Sequence, residues 1–286
     1  MNNTTIDSQQ AKANTLRSLH HNGQMLVLPN IWDPLGASLL QSLGYAAVAT
    51  ASASIAFSNG YDDGEHIPFD DLLKILQRIV HSVHIPVTAD IESGYANNNA
   101  SLEDNIRQLI QAGIVGINIE DTDKQNGQLV SAEEQCEKIK LIRKIASEME
   151  VPLFINARTD VYLKVKPDVT AEEKFSETLK RGRAYMAAGG DCFFPVFIKE
   201  KHDIEKLIAE LNAPVNVIAI PGVPNLKTLK EIGVARVSIG PGFLKTAMLA
   251  MKELALTLQN YEGLEMVTSN PVTTNHLKEL VNRSQL

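Results

Sequence analysis

Charged side chains follow three short apolar segments of this sequence, at the point where each segment ends. Asp90 and Glu92 follow the first segment, Glu120 and Asp121 the second, and Arg158 the third. Carboxylate oxygens are the ligands that hard divalent cations prefer, and an arginine holds an anion by paired hydrogen bonds. If the three segment ends meet, these residues can bind a divalent cation, directly or through water, and an anionic substrate beside it.

A structural interpretation stands beside the functional one for each residue. A lone acid at a strand end is usually a helix cap or a surface charge, and Arg158 could form a structural salt bridge with one of the acids. Four acids at two strand ends favour a metal or catalytic site over that interpretation. Asp90 and Glu92 stand two residues apart, so on a regular strand both side chains project from the same side.

Small and turn-forming residues near the acids are further candidates for residues of the functional site. Thr50 and Ala51 begin a run of small residues whose backbone N–H groups can approach a ligand, although tight packing of a strand end explains the run equally well. Residues 57–68 contain several turn signals and are predicted to form a loop where a lid would lie. Within this loop, Asp62 is either a turn residue or a site residue, and His66 is a candidate acid or base.

The elements that must position these residues are eight short apolar strands, each followed by a helical pattern. Apolar strands of this kind are typical of a parallel sheet that is covered on both faces. We predict an α/β fold, a (β/α)8 TIM barrel in which all strand ends converge on one face. The alternative is an open doubly wound sheet, but no glycine-rich dinucleotide turn follows the first strand. The predicted strands begin at Met25, Ala46, Val87, Gly116, Leu153, Cys192, Val215 and Arg236.

Helix signals extend the barrel at both ends of the chain. Residues 6–21 are predicted to form an N-terminal helix, and a C-terminal helical extension follows the last barrel helix. Ser101 is a predicted cap of a helix over 102–112, and Ser131 with Glu134 forms a capping box before a helix that ends near Met149. We predict a single barrel domain over 1–262 and a tail over 263–286, which either packs on a neighbouring subunit or frays.

Composition excludes several classes of function. The net charge of −7 comes from 27 basic and 34 acidic residues, without a local basic cluster, so we predict no nucleic-acid partner. No apolar run reaches the roughly 18 residues that span a bilayer, and the N-terminus lacks a signal-peptide pattern. We therefore predict a cytoplasmic protein without a membrane partner. Cys136 and Cys192 are predicted to be packing residues rather than nucleophiles.

Over residues 25–259 these motifs resemble those of the isocitrate lyase/phosphoenolpyruvate mutase superfamily. The segment 90–95 is similar to the family's Asp-x-Asp-x-Gly-Tyr metal motif, with Glu92 in place of the second Asp. Glu120 and Asp121 resemble its Glu-Asp motif, and the segment 156–158 resembles the motif that carries its substrate-binding arginine, here Arg158. The metal ligands implied by the resemblance are Asp90, Glu92 and Glu120.

The resemblance also implies roles for residues outside the strand-end acids. Thr50 and Ala51 match the place where the family binds the substrate's carboxylate and oxo group, and Asp62 matches an Asp near the metal. The family implies Mg²⁺, or Mn²⁺, chelated by a small anionic α-oxo or α-hydroxy acid. It further implies a homodimer or homotetramer in which subunits exchange the last barrel helix.

The loop over 122–130 departs from the family pattern. Isocitrate and methylisocitrate lyases carry a Lys-x-Cys-Gly-His element there, which this sequence lacks. Lys124 and Asn126 loosely resemble the Lys and Asn of the longer mutase loop, and Lys124 joins Asp62 and Arg158 as a candidate catalytic residue. We predict a Mg²⁺-dependent lyase or decarboxylase that acts on a small α-oxo or α-hydroxy dicarboxylic acid through an enolate. The alternatives are a phosphonate-handling enzyme, of the phosphoenolpyruvate mutase or phosphonopyruvate hydrolase type, and a non-catalytic α-oxo acid binding protein.

Overall fold

Parallel strands pair with one another around the whole molecule. The computed structural model describes residues 3–164 and 168–283, and every structural statement below refers to these residues. All strand pairs are parallel, in the orders β2-β3-β4-β5-β6-β7 and β8-β9-β1. The strands are β1 Leu26–Leu28, β2 Asn30–Ile31, β3 Val48–Thr50, β4 Val87–Asp90, β5 Gly116–Ile119, β6 Phe154–Thr159, β7 Cys192–Pro195, β8 Asn216–Ile218 and β9 Arg236–Ser238.

The two strand sets join into a closed barrel at two places. β1 and β2 form one strand that is interrupted at Pro29, which has no backbone N–H to donate, although its carbonyl still accepts from Ala49 N at 3.0 Å. On the opposite side, Phe193 of β7 bridges to Val215, just before β8, and donates to Pro214 O at 2.9 Å. With β1 and β2 counted as one strand, the predicted eight-stranded (β/α)8 barrel is confirmed.

Helices follow the strands much as the sequence predicts. Asp33, Asn98, Ser131, Thr170 and Asn225 cap five of them by accepting a hydrogen bond from a backbone N–H of the first turn. The helices are α1 Asn3–His21, α2 Pro34–Ser42, α3 Ser52–Ser58, α4 Phe69–His81, α5 Asn99–Gln111, α6 Ala132–Glu148, α7 Val161–Lys164, α8 Ala171–Ala187, α9 Lys201–Leu211, α10 Leu226–Glu231, α11 Gly242–Gln259, α12 Leu264–Thr268 and α13 Thr274–Arg283.

Two local predictions were wrong. The small residues after Thr50 form helix α3, which takes in Phe57 and Ser58 at the start of the predicted loop. Helix α5 begins earlier than predicted, because Asn98 rather than Ser101 is its cap. The Ser101 hydroxyl is the reciprocal partner in that cap and accepts from Asn98 N at 3.3 Å. At Ser101 the capping preference was read correctly but assigned to the wrong position of the turn.

Helix α1 covers the end of the barrel at which the strands begin. Its Gln9 side chain donates to the carbonyls of Ile110 and Ile114 at 2.8 and 3.1 Å. Leu16 is fully buried in an apolar cluster with Phe154 and Cys192 in the barrel interior. Polar side chains are also buried along the strands, namely Asn118, Asn156, Asn216, Arg236 and Ser238. Apolar packing against α1 therefore closes the end at which the strands begin, although the barrel interior also holds polar groups.

The C-terminal part of the chain is helical, as predicted. Helix α11 has no buried residue, whereas α13 packs against α2 and buries Leu280. The division into a barrel over 1–262 and a tail over 263–286 stays a prediction, and its residues 1–2 and 284–286 lie outside the described chain. Among the described residues, no helix combines the length and the apolar composition needed to cross a bilayer.

His20, near the end of α1, predicts a pH dependence of stability. Its ring stacks on Phe154 with centroids 4.2 Å apart, and Nδ1 donates to Leu16 O at 2.8 Å. Burial, helped by the charge of Arg236, lowers the pKa of His20 from 6.5 to about 3. As the pH falls below 6.5 the unfolded chain gains a proton on His20 that the folded chain does not. Stability should therefore fall by up to about 1.4 kcal/mol per pH unit until the folded pKa is reached.

The variant His20→Phe should lack this contribution, so its free energy of unfolding should decline less steeply with falling pH than that of the wild type. Urea unfolding near pH 7 and near pH 5 measures the two slopes. His21→Phe is the matched control, because His21 is exposed and its replacement should leave the slope unchanged. Equal slopes for His20→Phe and wild type would contradict the prediction.

Candidate active site

Arg158, near the C-terminal end of β6, is held between two carboxylates. Its Nε donates to Asp160 Oδ1 at 2.6 Å, and Nη1 lies 2.8 Å from Glu120 Oε2. Burial lowers the pKa of Arg158, but the charges of Glu120 and Asp160 outweigh that effect and raise it above its ordinary value. The structural salt bridge that the sequence suggested as an alternative is therefore present. Arg158 also lines a cavity, and its Nη2 makes no hydrogen bond within the described chain.

Lys124 forms ion pairs with Glu92 and Glu120. Its Nζ lies 2.7 Å from Glu92 Oε2 and 2.6 Å from Glu120 Oε1. Burial lowers the pKa of Lys124, and attraction to Glu120 and Glu92 more than reverses this, so the ammonium form is favoured. The loop that carries Lys124 is a short hairpin, closed by an antiparallel bridge between Thr122 and Leu129. The hairpin holds the predicted catalytic lysine on the predicted metal-binding acids.

Asp90, at the end of β4, has a different environment. Its Oδ2 accepts from Ser52 Oγ at 3.1 Å and its Oδ1 accepts from Glu92 N at 3.4 Å. Its backbone N–H donates to Thr50 Oγ1 at 3.0 Å, which fixes the strand end. No cation contacts the Asp90 carboxylate in the described part of the chain. Burial is the main reason that the pKa of Asp90 is raised, so its charge is incompletely compensated.

Glu92 reaches the site by a turn rather than along the strand. β4 ends at Asp90, and Glu92 has a φ of 51°, in the left-handed region. The expectation that regular strand geometry would direct Asp90 and Glu92 to one side was therefore wrong. Glu92 is held by backbone and hydroxyl donors, because its Oε1 accepts from Glu65 N at 2.9 Å and from Tyr95 OH at 3.2 Å.

The structure places Asp63, rather than Asp62, beside Asp90. Both residues are exposed, but Asp62 does not line the cavity, and its carboxylate accepts from the backbone N–H of Asp63 at 2.8 Å. The Asp63 carboxylate accepts from Ser52 Oγ at 3.4 Å and lines the same cavity as Asp90. Burial and the neighbouring Asp90 charge raise the pKa of Asp63. His66, in the same loop, is exposed and does not line this cavity.

Thr50 and Ala51 lie at the site, but not with the groups that the resemblance implies. The Thr50 hydroxyl is fully buried and accepts from Asp90 N, so it supports the acid. The Ala51 N–H already donates to Ile31 O at 3.2 Å. Unpaired backbone donors are instead expected in the first turn of α3, where Ser52 and Ala53 line the cavity.

Asp121, the second acid of the Glu-Asp pair, has a structural position. It is fully buried and accepts from Thr159 Oγ1 at 2.7 Å and from Asp160 N at 2.9 Å. Arg181 Nη1 and Tyr185 OH of α8 donate to it at 2.9 and 2.7 Å. Asp121 thus fixes the end of β6, which carries Arg158 and Asp160, to helix α8.

One cavity of about 400 Å³ lies in front of these residues. Ser52, Asp63, Asp90, Asn118 and Arg158 line its polar side. A second cavity, of about 440 Å³, is lined by Lys124, Glu65, Ser93 and the start of α5, but not by Asp90 or Arg158. The first cavity is the better candidate for substrate, because it brings Asp90, which forms no ion pair within the described chain, together with the guanidinium of Arg158.

The acids fit a hard divalent cation, although in a different combination from the predicted one. Among the described residues, no three His, Cys, Asp or Glu side chains form a ready-made metal site, and Lys124 and Arg158 occupy Glu92 and Glu120. Asp90 and Asp63 share the Ser52 hydroxyl and present carboxylate oxygens to one cavity. A half-buried carboxylate that forms no ion pair within the described chain, with a second acid beside it, suits Mg²⁺ or Mn²⁺.

Sequence reasoning missed Asp63, Asp160 and Ser52. Asp160 follows Arg158 in the same apolar segment, and its position two residues later was the available signal. Ser52 was part of the small-residue run, and its hydroxyl was a recognisable hydrogen-bond donor. Nothing in the sequence separates Asp62 from Asp63, because the turn between them decides which carboxylate enters the site.

Comparisons with known proteins agree with this fold and these motifs. The family model of phosphoenolpyruvate phosphomutase matches residues 16–259. The protein Rv1998c of Mycobacterium tuberculosis is 30% identical over 251 residues, covering 87% of this chain and 91% of that protein. A 2-methylisocitrate lyase of Aeropyrum pernix is 26% identical over 206 residues, covering 70% and 63% of the two chains.

A crystal structure supports the same assignment. A proposed phosphonomutase of Burkholderia cenocepacia J2315 superposes with a TM-score of 0.82 at 38% identity, covering 86% of this chain and 98% of that one. The resemblance to lyases and mutases of one enzyme superfamily is therefore confirmed. The chain belongs to the phosphoenolpyruvate phosphomutase family, within the isocitrate lyase/phosphoenolpyruvate mutase superfamily.

Proposed function

We propose that this protein is a Mg²⁺-dependent lyase or decarboxylase that acts on a small α-oxo or α-hydroxy acid through an enolate. The observation that carries the proposal is one cavity that joins the half-buried carboxylate of Asp90, which forms no ion pair within the described chain, to the guanidinium of Arg158. An α-oxo acid has matching groups, because its oxo and carboxylate oxygens chelate a metal and its carboxylate accepts from an arginine.

The residues divide the work between binding and charge stabilisation. Asp90 and Asp63 would hold Mg²⁺ or Mn²⁺, with Glu92 and Glu120 contributing through water. Bound metal would act as a Lewis acid on the oxo or hydroxyl oxygen. Arg158 would donate from Nη2 to the substrate carboxylate while Asp160 and Glu120 keep its orientation fixed.

Lys124 supplies the proton chemistry in this proposal. When a C–C bond beside a hydroxyl-bearing carbon breaks, the hydroxyl loses its proton and becomes a carbonyl. The electron pair passes to the departing carbon, which must then take up a proton. The 122–130 hairpin has no cysteine for this step, but it holds the ammonium of Lys124 on Glu92 and Glu120. Because burial raises the pKa of Glu120, the Lys124–Glu120 pair would hold the proton that the departing carbon takes up. General acid help of this kind contributes about a hundred- to ten-thousand-fold in rate.

A phosphonate-handling activity is the second candidate, favoured by the similarity to the proposed phosphonomutase. Pyruvate and phosphate release from a panel of oxo, hydroxy and phosphono acids, with and without Mg²⁺, distinguishes the candidates. Metal-dependent pyruvate release from an oxo or hydroxy acid supports the lyase. Phosphate release or rearrangement of phosphonopyruvate supports the phosphonate enzyme, and oxo-acid binding without turnover supports a binding protein. We expect no useful cleavage of isocitrate or 2-methylisocitrate, because the cysteine of those lyases is absent.

Metal binding should depend on Asp90. Asp90→Asn keeps the size of the side chain but removes the charge that a hard cation requires, so Mg²⁺ affinity should fall by at least about tenfold. Calorimetry of Mg²⁺ binding in the presence of oxalate measures this change. Asp104→Asn is the control, because Asp104 is an exposed helix residue outside the cavity. Unchanged Mg²⁺ affinity in Asp90→Asn would place the metal elsewhere.

Oxo-acid binding should depend on the guanidinium shape of Arg158. A lysine has a single charged nitrogen, so Arg158→Lys cannot contact Asp160, Glu120 and a carboxylate in the same way. The oxalate dissociation constant should rise by about tenfold or more, since hydrogen bonds to charged groups contribute roughly 1.5–3 kcal/mol. Arg183→Lys, at an exposed pair with Glu210, is the control. Loss of folding with normal oxalate affinity in the folded fraction would mean that Arg158 is purely structural.

Helix α11 is proposed to pack on a second copy of the chain. It extends for 18 residues without a buried side chain and exposes Met248, Leu249, Met251, Leu256 and Leu258. Apolar surface of this extent usually marks an interface. Light scattering should give a dimer or tetramer of the 31.3 kDa chain, and Leu249→Glu should shift it towards monomer. Leu43→Glu changes an exposed leucine at the end of α2 and should leave the oligomeric state unchanged. A monomeric wild type would refute the proposal.

A further inference from the structure

Part of the wall of the cavity that Asp90 and Arg158 line is apolar. We define the apolar wall by residues that follow β6, β7 and β8 or lie at their ends, and every one of them lines the same 400 Å³ cavity as Asp90 and Arg158. The apolar wall consists of Leu163, Phe194, Val196, Phe197, Ile218 and Ile220.

The apolar wall is fixed by the barrel. Phe194 and Val196 are 3% and 2% exposed, and Val196 N donates to Thr159 O at 3.2 Å, next to the strand end that carries Arg158. Phe197 has a φ of 69° and is 42% exposed at the edge of the cavity. A bulky residue in the left-handed region is strained, and such strain is concentrated at ligand sites.

Among the described residues, four charged side chains line the cavity. Asp63 and Asp90 repel a second carboxylate. Arg158 is already paired with Glu120 and Asp160, and Lys245 of α11 is exposed. A carboxylate placed against the apolar wall, away from Lys245, would lose water without gaining a cationic partner, which is costly. An alkyl group placed there would lose only unfavourable contact with water.

We propose that the substrate carries a branched alkyl group and that the apolar wall binds it, while the chelating oxo acid lies on the polar side of the cavity. This inference rests on the proposed function and narrows the class of acid that the site accepts. Each methylene buried against the apolar wall should tighten binding by about fourfold, from about 0.8 kcal/mol per methylene.

The test uses the full-length protein with Mg²⁺ and calorimetry of a series of 2-oxo acids. Pyruvate, 2-oxobutanoate, 3-methyl-2-oxobutanoate and 4-methyl-2-oxopentanoate lengthen and branch the alkyl group stepwise, and 2-oxoglutarate places a carboxylate at the remote end. We expect progressively tighter binding along the alkyl series and weaker binding of 2-oxoglutarate than of 4-methyl-2-oxopentanoate. Ile220→Ser and Phe197→Ser should each remove most of the gain while leaving pyruvate affinity within about twofold. Phe57→Ser, at an exposed phenylalanine outside the cavity, is the matched control.

The possible failures are distinguishable. If pyruvate binds but affinity does not rise along the alkyl series, the inference is wrong and the proposed metal and arginine site stands. If 2-oxoglutarate binds more tightly than the branched acids and Lys245→Met removes that preference, the remote end is a carboxylate site and the inference is overturned. If no 2-oxo acid binds with Mg²⁺, the proposed function is wrong and the inference fails with it. A gain that persists in both Ile220→Ser and Phe197→Ser would mean that the apolar wall does not bind the alkyl group.

Discussion

The buried ion pairs of Arg158 with Glu120 and Asp160 are the interaction on which the site depends. Removing these charges from water is costly, and the cost is offset only when the groups are paired with good geometry. Arg158 meets that condition, with contacts of 2.6 Å to Asp160 and 2.8 Å to Glu120. Lys124 meets it through its contacts with Glu92 and Glu120. Since the acids of the site outnumber its cations, the pairing leaves the charge of Asp90 incompletely compensated.

The barrel maintains this arrangement through polar contacts that lie away from the cavity. Asp121 joins the β6 end to α8, so Arg158 cannot move without breaking buried hydrogen bonds to Arg181 and Tyr185. Deeper in the barrel, Arg236 is fully buried, and burial lowers its pKa to about 10, so it remains protonated near neutral pH. Arg158 is the cation that most favours the ionised form of Asp90, and the charge of Arg236 interacts favourably with it as well. Charge balance thus extends from the strand ends into the barrel interior.

The strand-end acids were predictable because parallel strands buried on both faces have a simple sequence pattern. A charged group directly after such a strand must lie at the mouth of the barrel, which located Asp90, Glu120 and Arg158 correctly. The contacts that assign a role to each acid were not predictable. They depend on the left-handed turn at Glu92 and on tertiary pairing of Asp160 with Arg158, neither of which has a local sequence signal. The structure brings Asp63 to the cavity rather than its neighbour Asp62, and the sequence has no signal that separates these two adjacent residues.

The shortened loop over 122–130 changes how the site balances its charges. Because the hairpin is closed by its own hydrogen bonds, including Asp123 N to Gln128 O at 2.8 Å, Lys124 is held in place without a ligand. Its ammonium and the guanidinium of Arg158 offset part of the negative charge of Glu92 and Glu120, although burial still raises the pKa of Glu120. Asp90 lacks such a partner, and its negative charge lies between the Ser52 hydroxyl and the cavity. A cation that enters the cavity therefore gains the most favourable electrostatic interaction at Asp90. Cation binding at Asp90 would then also stabilise the charged groups of the site.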